Sequence, residues 1–196
     1  MFLDGIDERD ATGDLATWYA GQRKAWGYLP NYAPIFTSRP EVAHAWSNLN
    51  LTIRGGMERR RFELVTIAAS RALSCTYCLA AHSSFLRDAV GDEPTMRAVA
   101  DDPTGASLDA TDRAVIAFAT KVATDAPGIT AEDVKTLTDH GLTDQDVADI
   151  IFAVGARAFF ATVLDAAGAE ADYELAETFD AGVRGQLTVG RPFADA

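Results

Sequence analysis

Apolar residues along this chain recur at intervals of three and four, with polar punctuation between them, and that spacing predicts helices joined by short loops. Leu15, Trp18 and Tyr19 set the face of a first helix over Asp14 to Trp26, which stops near Gly27 and Pro30. Ser38-Arg39-Pro40-Glu41 has the form of a capping box and opens a helix to about Ile53, before Gly55-Gly56 breaks the chain. Glu58 to Leu73 is a helix former that turns almost wholly apolar after Glu63, which predicts burial on most sides. Ser74 reads as the N-cap of the next helix, Cys75 to Val90, closed by Gly91. A shorter helix over Pro94 to Ala100 precedes a polar loop, and Asp109 and Thr111 start one that reaches Thr124 and ends at Pro127-Gly128. Thr130 to Asp133 and Thr143 to Asp146 look like two further helix starts, the second opening the long apolar segment Val147 to Ala167. Leu175 to Val183 forms the last helix. The best alternating stretch, Leu187 to Val189, is too short for a strand. No repeat, low-complexity linker or charge run divides the chain. The expected architecture is a single all-α domain over residues 1–196, with loose termini at about 1–12 and 185–196.

Composition narrows the partners more than the fold. Lys and Arg total 17 against 29 Asp and Glu, a formal charge of −12, which argues against nucleic acid or an anionic membrane surface as partner. The start of the chain carries acids where a signal peptide has lysines, and no uncharged apolar run reaches the roughly 18 residues of a membrane span. The expected location is therefore the cytoplasm. Both cysteines fall in one motif, Cys75-Thr76-Tyr77-Cys78. In an unexported chain that spacing reads as redox chemistry or a metal site. A structural disulfide there would close almost no loop and add little stability.

On a helix advancing about 100° per residue, Cys75, Cys78 and His82 fall within roughly 60° of one another, on one face within two turns. A first-turn cysteine meets the positive end of the helix dipole, which favours thiolate. An imidazole one turn on can relay a proton near neutral pH. Glu63, near the start of the preceding helix, is the second piece: a carboxylate facing a buried site would have a raised pKa and could act as a base. The plainer reading of Glu63 is a solvated residue paired with Arg59 or Arg60. A zinc site built from the cysteines, the histidine and the glutamate is the sharper rival, although His44 and His140 lie outside the motif. Tyr77 reads as a packing residue lining the pocket.

The pattern Glu63, eleven residues, Cys75-x-x-Cys78-x-x-x-His82 resembles the alkylhydroperoxidase D-like branch of the carboxymuconolactone decarboxylase superfamily. The segments SCTYCLAAHSSFLRDA and FFATVLDAAGAEADYE are both similar to its peroxidase-related members, and the resemblance spans roughly Leu29 to Asp172. It implies an all-helical, cofactor-free, metal-free enzyme that acts on a hydroperoxide and assembles as a homo-oligomer, a trimer or hexamer. By that analogy Cys78 attacks the peroxide and becomes a sulfenic acid, Cys75 resolves it to a disulfide, and His82 with Glu63 forms the proton relay. An external dithiol, on a lipoyl-bearing or thioredoxin-like protein, would reduce the pair. The chain departs from the best-known members at Tyr77, which stands where they carry a histidine; a phenol donates a hydrogen bond but is a poor base at pH 7. A helix-start argument alone makes Cys75, not Cys78, the lower-pKa thiol. Two other functions fit the superfamily or the motif: a lyase or isomerase acting on a lactone-type substrate, and a non-catalytic thiol redox sensor. Oligomerisation is also expected from Val147 to Leu164, which is apolar over more than one face.

Overall fold

The nine consecutive residues Phe62 to Ser70 are all buried, and the helix that holds them is the axis of the molecule. The computed structural model describes all 196 residues. Ten α-helices follow one another: α1 (Gly13–Trp26), α2 (Pro40–Gly56), α3 (Arg59–Ala72), α4 (Thr76–Asp88), α5 (Glu93–Asp101), α6 (Ala110–Asp125), α7 (Ala131–Asp139), α8 (Asp144–Ala167), α9 (Tyr173–Ala176) and α10 (Ala181–Leu187). There is no sheet; the one β-bridge joins Ala171 to Phe193. Helix α3 packs chiefly on α6, α4 and α8, and α2 lies across α8. Fully buried Leu64, Leu79, Leu86 and Ile150 tie these helices together. Each contributes about 1.5–3 kcal/mol through removal of apolar surface from water.

The turn between α3 and α4 decides where the cysteines sit. Cys75 N donates to Ser70 O at 2.9 Å, and Ser74 N donates to Arg71 O at 2.9 Å. That double pattern is a Schellman motif, in which the residue after the C-cap takes a left-handed conformation. Here it is Ser74, at φ +57°, a position that usually falls to glycine. Ser74 is therefore the end of α3 and not the N-cap of α4; Cys75 is the N-cap, with extended backbone and no side-chain capping bond. The two helices abut with almost no connecting loop.

Several other expected boundaries move for similar local reasons. Arg39, not Ser38, is the N-cap of α2 and makes no side-chain cap, so the expected capping box does not form. Helix α2 continues through Gly55 and Gly56, because glycines in a last turn interrupt few bonds, and ends at extended Met57. The expected helix over Leu175 to Val183 is two short ones, since Asp180 accepts from Val183 N and starts α10 afresh. The boxes at Thr130/Asp133 and Thr143/Asp146 form as reciprocal caps.

Helix α8 is long and apolar enough to cross a membrane, yet half of that stretch is buried inside the molecule. Its inner face carries Ile150, Val154, Arg157, Phe160 and Leu164, while Ile151, Phe152 and Phe159 are exposed. Both ends of the chain touch the body. Phe2 N donates to Ala167 O, and Ile6 N donates to Thr37 Oγ1. At the other end, Val189 N and Gly190 N both donate to Thr76 Oγ1, and Ala194 N donates to Ala171 O.

Candidate active site

Cys78 and His82 stand one turn apart on α4 and line one cavity of about 190 Å³ together with Glu63 from α3, Arg157 from α8 and Tyr77. Glu63 and Cys75 are fully buried, Cys78 is 2% exposed and His82 5%. No charged side chain can sit so deep without partners. Glu63 has two: Oε2 lies 2.5 Å from His82 Nδ1, and Oε1 accepts from Arg59 Nε at 2.5 Å. Glu63 makes the Arg59 pair of the plainer reading, but it is buried rather than solvated and also reaches the histidine. Burial pushes its carboxyl up, but His82 and Arg59 outweigh burial and the net direction is down. That direction is opposite to the rise burial alone predicts, because two donors face the carboxylate.

An ionised Glu63 can only accept, so His82 Nδ1 must carry the proton and Nε2 the lone pair. The His82 pKa is lowered to about 4, by burial first and by Arg157 next, with Glu63 opposing both. The imidazole is neutral across the physiological range, with its basic nitrogen turned away from the carboxylate.

The two thiols differ sharply. Cys78 is lowered to about 7, first by a hydrogen bond from Cys75, against burial, and then by Arg157, whose Nη1 lies 3.5 Å from Sγ. Cys75 is pushed up, by donating to Cys78 and by burial. The geometry favours Cys78 over the thiol a helix-start argument picks, because the N-cap Cys75 is sealed and Cys78 at N3 has the guanidinium beside it. No three His, Cys, Asp or Glu side chains converge closely enough to ligate one metal ion. Both cysteines are free thiols.

Tyr77 lines the cavity with its ring, but its hydroxyl turns away to donate to Asp172 Oδ2 at 2.5 Å. Asp172, 1% exposed, also accepts from Tyr28 and from Asn31 N. Burial and the facing carboxylate push the Tyr77 phenol well up, so it stays protonated. It anchors α4 to the segment before α9 rather than titrating.

Residues 40–106 match the carboxymuconolactone decarboxylase family model, and that stretch includes every motif residue from Glu63 to His82. Solved structures superpose over most of the chain. A peroxidase-related protein from Ralstonia eutropha JMP134 aligns with TM-score 0.79 and 22% identity, over 89% of this chain and 93% of its own. The family match covers residues 40–106, and over the rest of the chain the likeness is one of fold. A second peroxidase-related protein, from Silicibacter sp. TM1040, gives TM-score 0.75 at 22% identity, over 87% of this chain and 93% of that one. The debrominase Bmp8, solved in complex with 2,3,4-tribromopyrrole, gives 0.72 at 18% identity, over 93% and 94%. At these identities the structural likeness is one of fold. No curated protein matches the sequence significantly.

Sequence reasoning missed one residue of this cavity that matters electrostatically. Arg157 lies 79 positions from Cys78 and is 2% exposed. It stacks near the Trp46 and Phe160 rings, each 5.8 Å from the guanidinium carbon. The signal was present, since Arg157 is the single basic residue in Val147 to Ala167.

Proposed function

We propose that this chain is a thiol-dependent peroxidase that reduces hydroperoxides through Cys78 and Cys75. The observation that supports it best is the lowered, guanidinium-flanked Cys78 thiol, which shares one cavity with a neutral histidine and has the sealed Cys75 thiol at the N-cap of the same helix. In this reading the Cys78 thiolate attacks the terminal peroxide oxygen. The O–O bond breaks, leaving Cys78 sulfenic acid and an alkoxide; the proton that the Cys78 thiol gave up to His82 Nε2 on forming the thiolate passes to that alkoxide. The Cys75 thiol then attacks the sulfenic sulfur, forming the disulfide and releasing water. Two electrons and two protons from an external dithiol, on a lipoyl-bearing or thioredoxin-like protein, restore the pair. Glu63 holds the histidine tautomer and Arg59 keeps Glu63 charged.

Replacing Cys78 with serine should abolish peroxide consumption. Cys75→Ser should permit one turnover and leave a sulfenic acid at Cys78, detected as a dimedone adduct by mass spectrometry. Unchanged steady-state turnover in both variants would sink the reading. A second reading, thiol-dependent dehalogenation of an arene, is favoured by the aromatic walls of the cavity. It is separated by product: halide release from a bromoarene without peroxide consumption.

A further inference from the structure

The cavity beside Cys78 is far larger than hydrogen peroxide needs. One water-sized molecule occupies about 30 Å³, whereas an apolar cavity of about 150 Å³ already admits benzene. The cavity here is about 190 Å³. Its walls are rings: Trp18, Trp26, Trp46, Phe62, Phe85 and Phe160. Such a surface holds water poorly and favours a flat apolar guest through offset or edge-on ring contacts.

One side of the same cavity is polar, and it forms a track. Arg157 reaches Cys78 Sγ through Nη1, and its Nη2 lies 3.5 Å from Asn50 Oδ1. Its Nε is buried without a hydrogen-bond partner. One helical turn beyond Asn50 on α2 stands Arg54, on the same face as Trp46 and also lining the cavity. Arg59, Arg60 and Arg61 at the start of α3 are all in ion pairs. Arg54 makes no salt bridge and no side-chain hydrogen bond, in a chain where acids outnumber bases 29 to 17. A half-buried guanidinium kept without an internal counter-ion, at the end of a polar track leading to the thiol, is matched by a planar anion brought by a ligand.

We infer that the cavity binds a ring-bearing carboxylate, with the ring among the aromatic walls and the carboxylate on Arg54. The substrate is then a benzylic hydroperoxide whose ring carries a carboxylate, and hydrogen peroxide is a poor one. The identity of the reacting group rests on the thiol-peroxidase reading; the binding of the ring and the anion does not.

The test is calorimetric titration of the reduced protein with para-isopropylbenzoate and with para-isopropylbenzyl alcohol, which share a ring and differ in charge. Quenching of intrinsic fluorescence places the ligand, because all three tryptophans line this cavity. The carboxylate should bind at least about tenfold more tightly, a difference of about 1.4 kcal/mol. Arg54→Gln should erase that preference and Arg54→Lys should retain most of it. Equal affinity of the two ligands in the unmodified protein, or an undiminished preference in Arg54→Gln, would overturn the assignment. Turnover of cumene hydroperoxide and its para-carboxylate is then compared. A lower KM for the carboxylate extends the assignment to substrate. If neither peroxide is consumed while the binding preference stands, the peroxidase reading fails and the ligand assignment holds.

Discussion

The hydrogen bond between the two thiols sets them apart first, and a single guanidinium beside Cys78 adds to the difference. Arg157 is the one cation the structure places in hydrogen-bonding reach of Cys78. A group whose pKa is lowered to about 7 gains thiolate as pH rises through that value. Alkylation of Cys78 by iodoacetamide should therefore climb from about pH 6 and level off above about pH 8, on the order of one pH unit either side of the pKa. Arg157→Gln should move that midpoint up and slow alkylation at pH 7 by roughly tenfold, with recovery near pH 9. An unchanged midpoint would remove Arg157 from the account. The cysteines, His82 and Glu63 were legible because they sit at short, fixed spacings on two consecutive helices. Arg157 was not, because its partner lies in another helix and spacing carries no information about distant pairs. The direction of the Glu63 shift was illegible for the same reason: it depends on which donors face the carboxylate, and burial alone points the other way.

At the scale of the element, the α3–α4 turn and the tail that covers it hold the sealed thiol. A Cβ built on Gly190 would lie 1.9 Å from Ser74 O, so the tail crosses the strained turn at a distance only glycine allows. The Val189 and Gly190 amides cap Thr76, and Arg191 donates to Asp165 O. Gly190→Ala should lift this tail, at a cost of about 1–3 kcal/mol for the overpacking. It should also turn Cys75 from unreactive to alkylatable in the folded protein. A variant with wild-type melting temperature and a protected Cys75 would contradict this. Helix existence was largely readable from periodicity, and the two Thr–Asp boxes were readable from their spacing. The Schellman end of α3 was not, since its residue is serine where the motif usually shows glycine. The split at Asp180 was also hidden, because a capping aspartate inside an otherwise helical pattern looks like an ordinary polar position.

Over the whole molecule, one apolar surface lacks a partner. Leu49 of α2 and Ile151, Phe152 and Phe159 of α8 are each at least 40% exposed, and Phe152 reaches 57%. A groove lined by Val42, Trp46, Leu49, Ala156 and Phe159 runs between the two helices. Contiguous exposed apolar surface of this kind marks an interface. We propose that it joins copies of this chain in a trimer or hexamer. Sedimentation velocity should show such an assembly, and Phe152→Glu with Phe159→Glu should dissociate it to monomer. A wild-type monomer at micromolar concentration would refute the interface. The pattern Val147 to Leu164 already showed apolar residues on more than one face, but not which of them the bundle would cover.

The central claim is that Cys75 and Cys78 form one peroxide-reactive pair. It is tested most directly by counting free thiols anaerobically, before and after one equivalent of cumene hydroperoxide. The account predicts two thiols falling to none, with both restored by an added dithiol. Two thiols that survive the peroxide unchanged would contradict it.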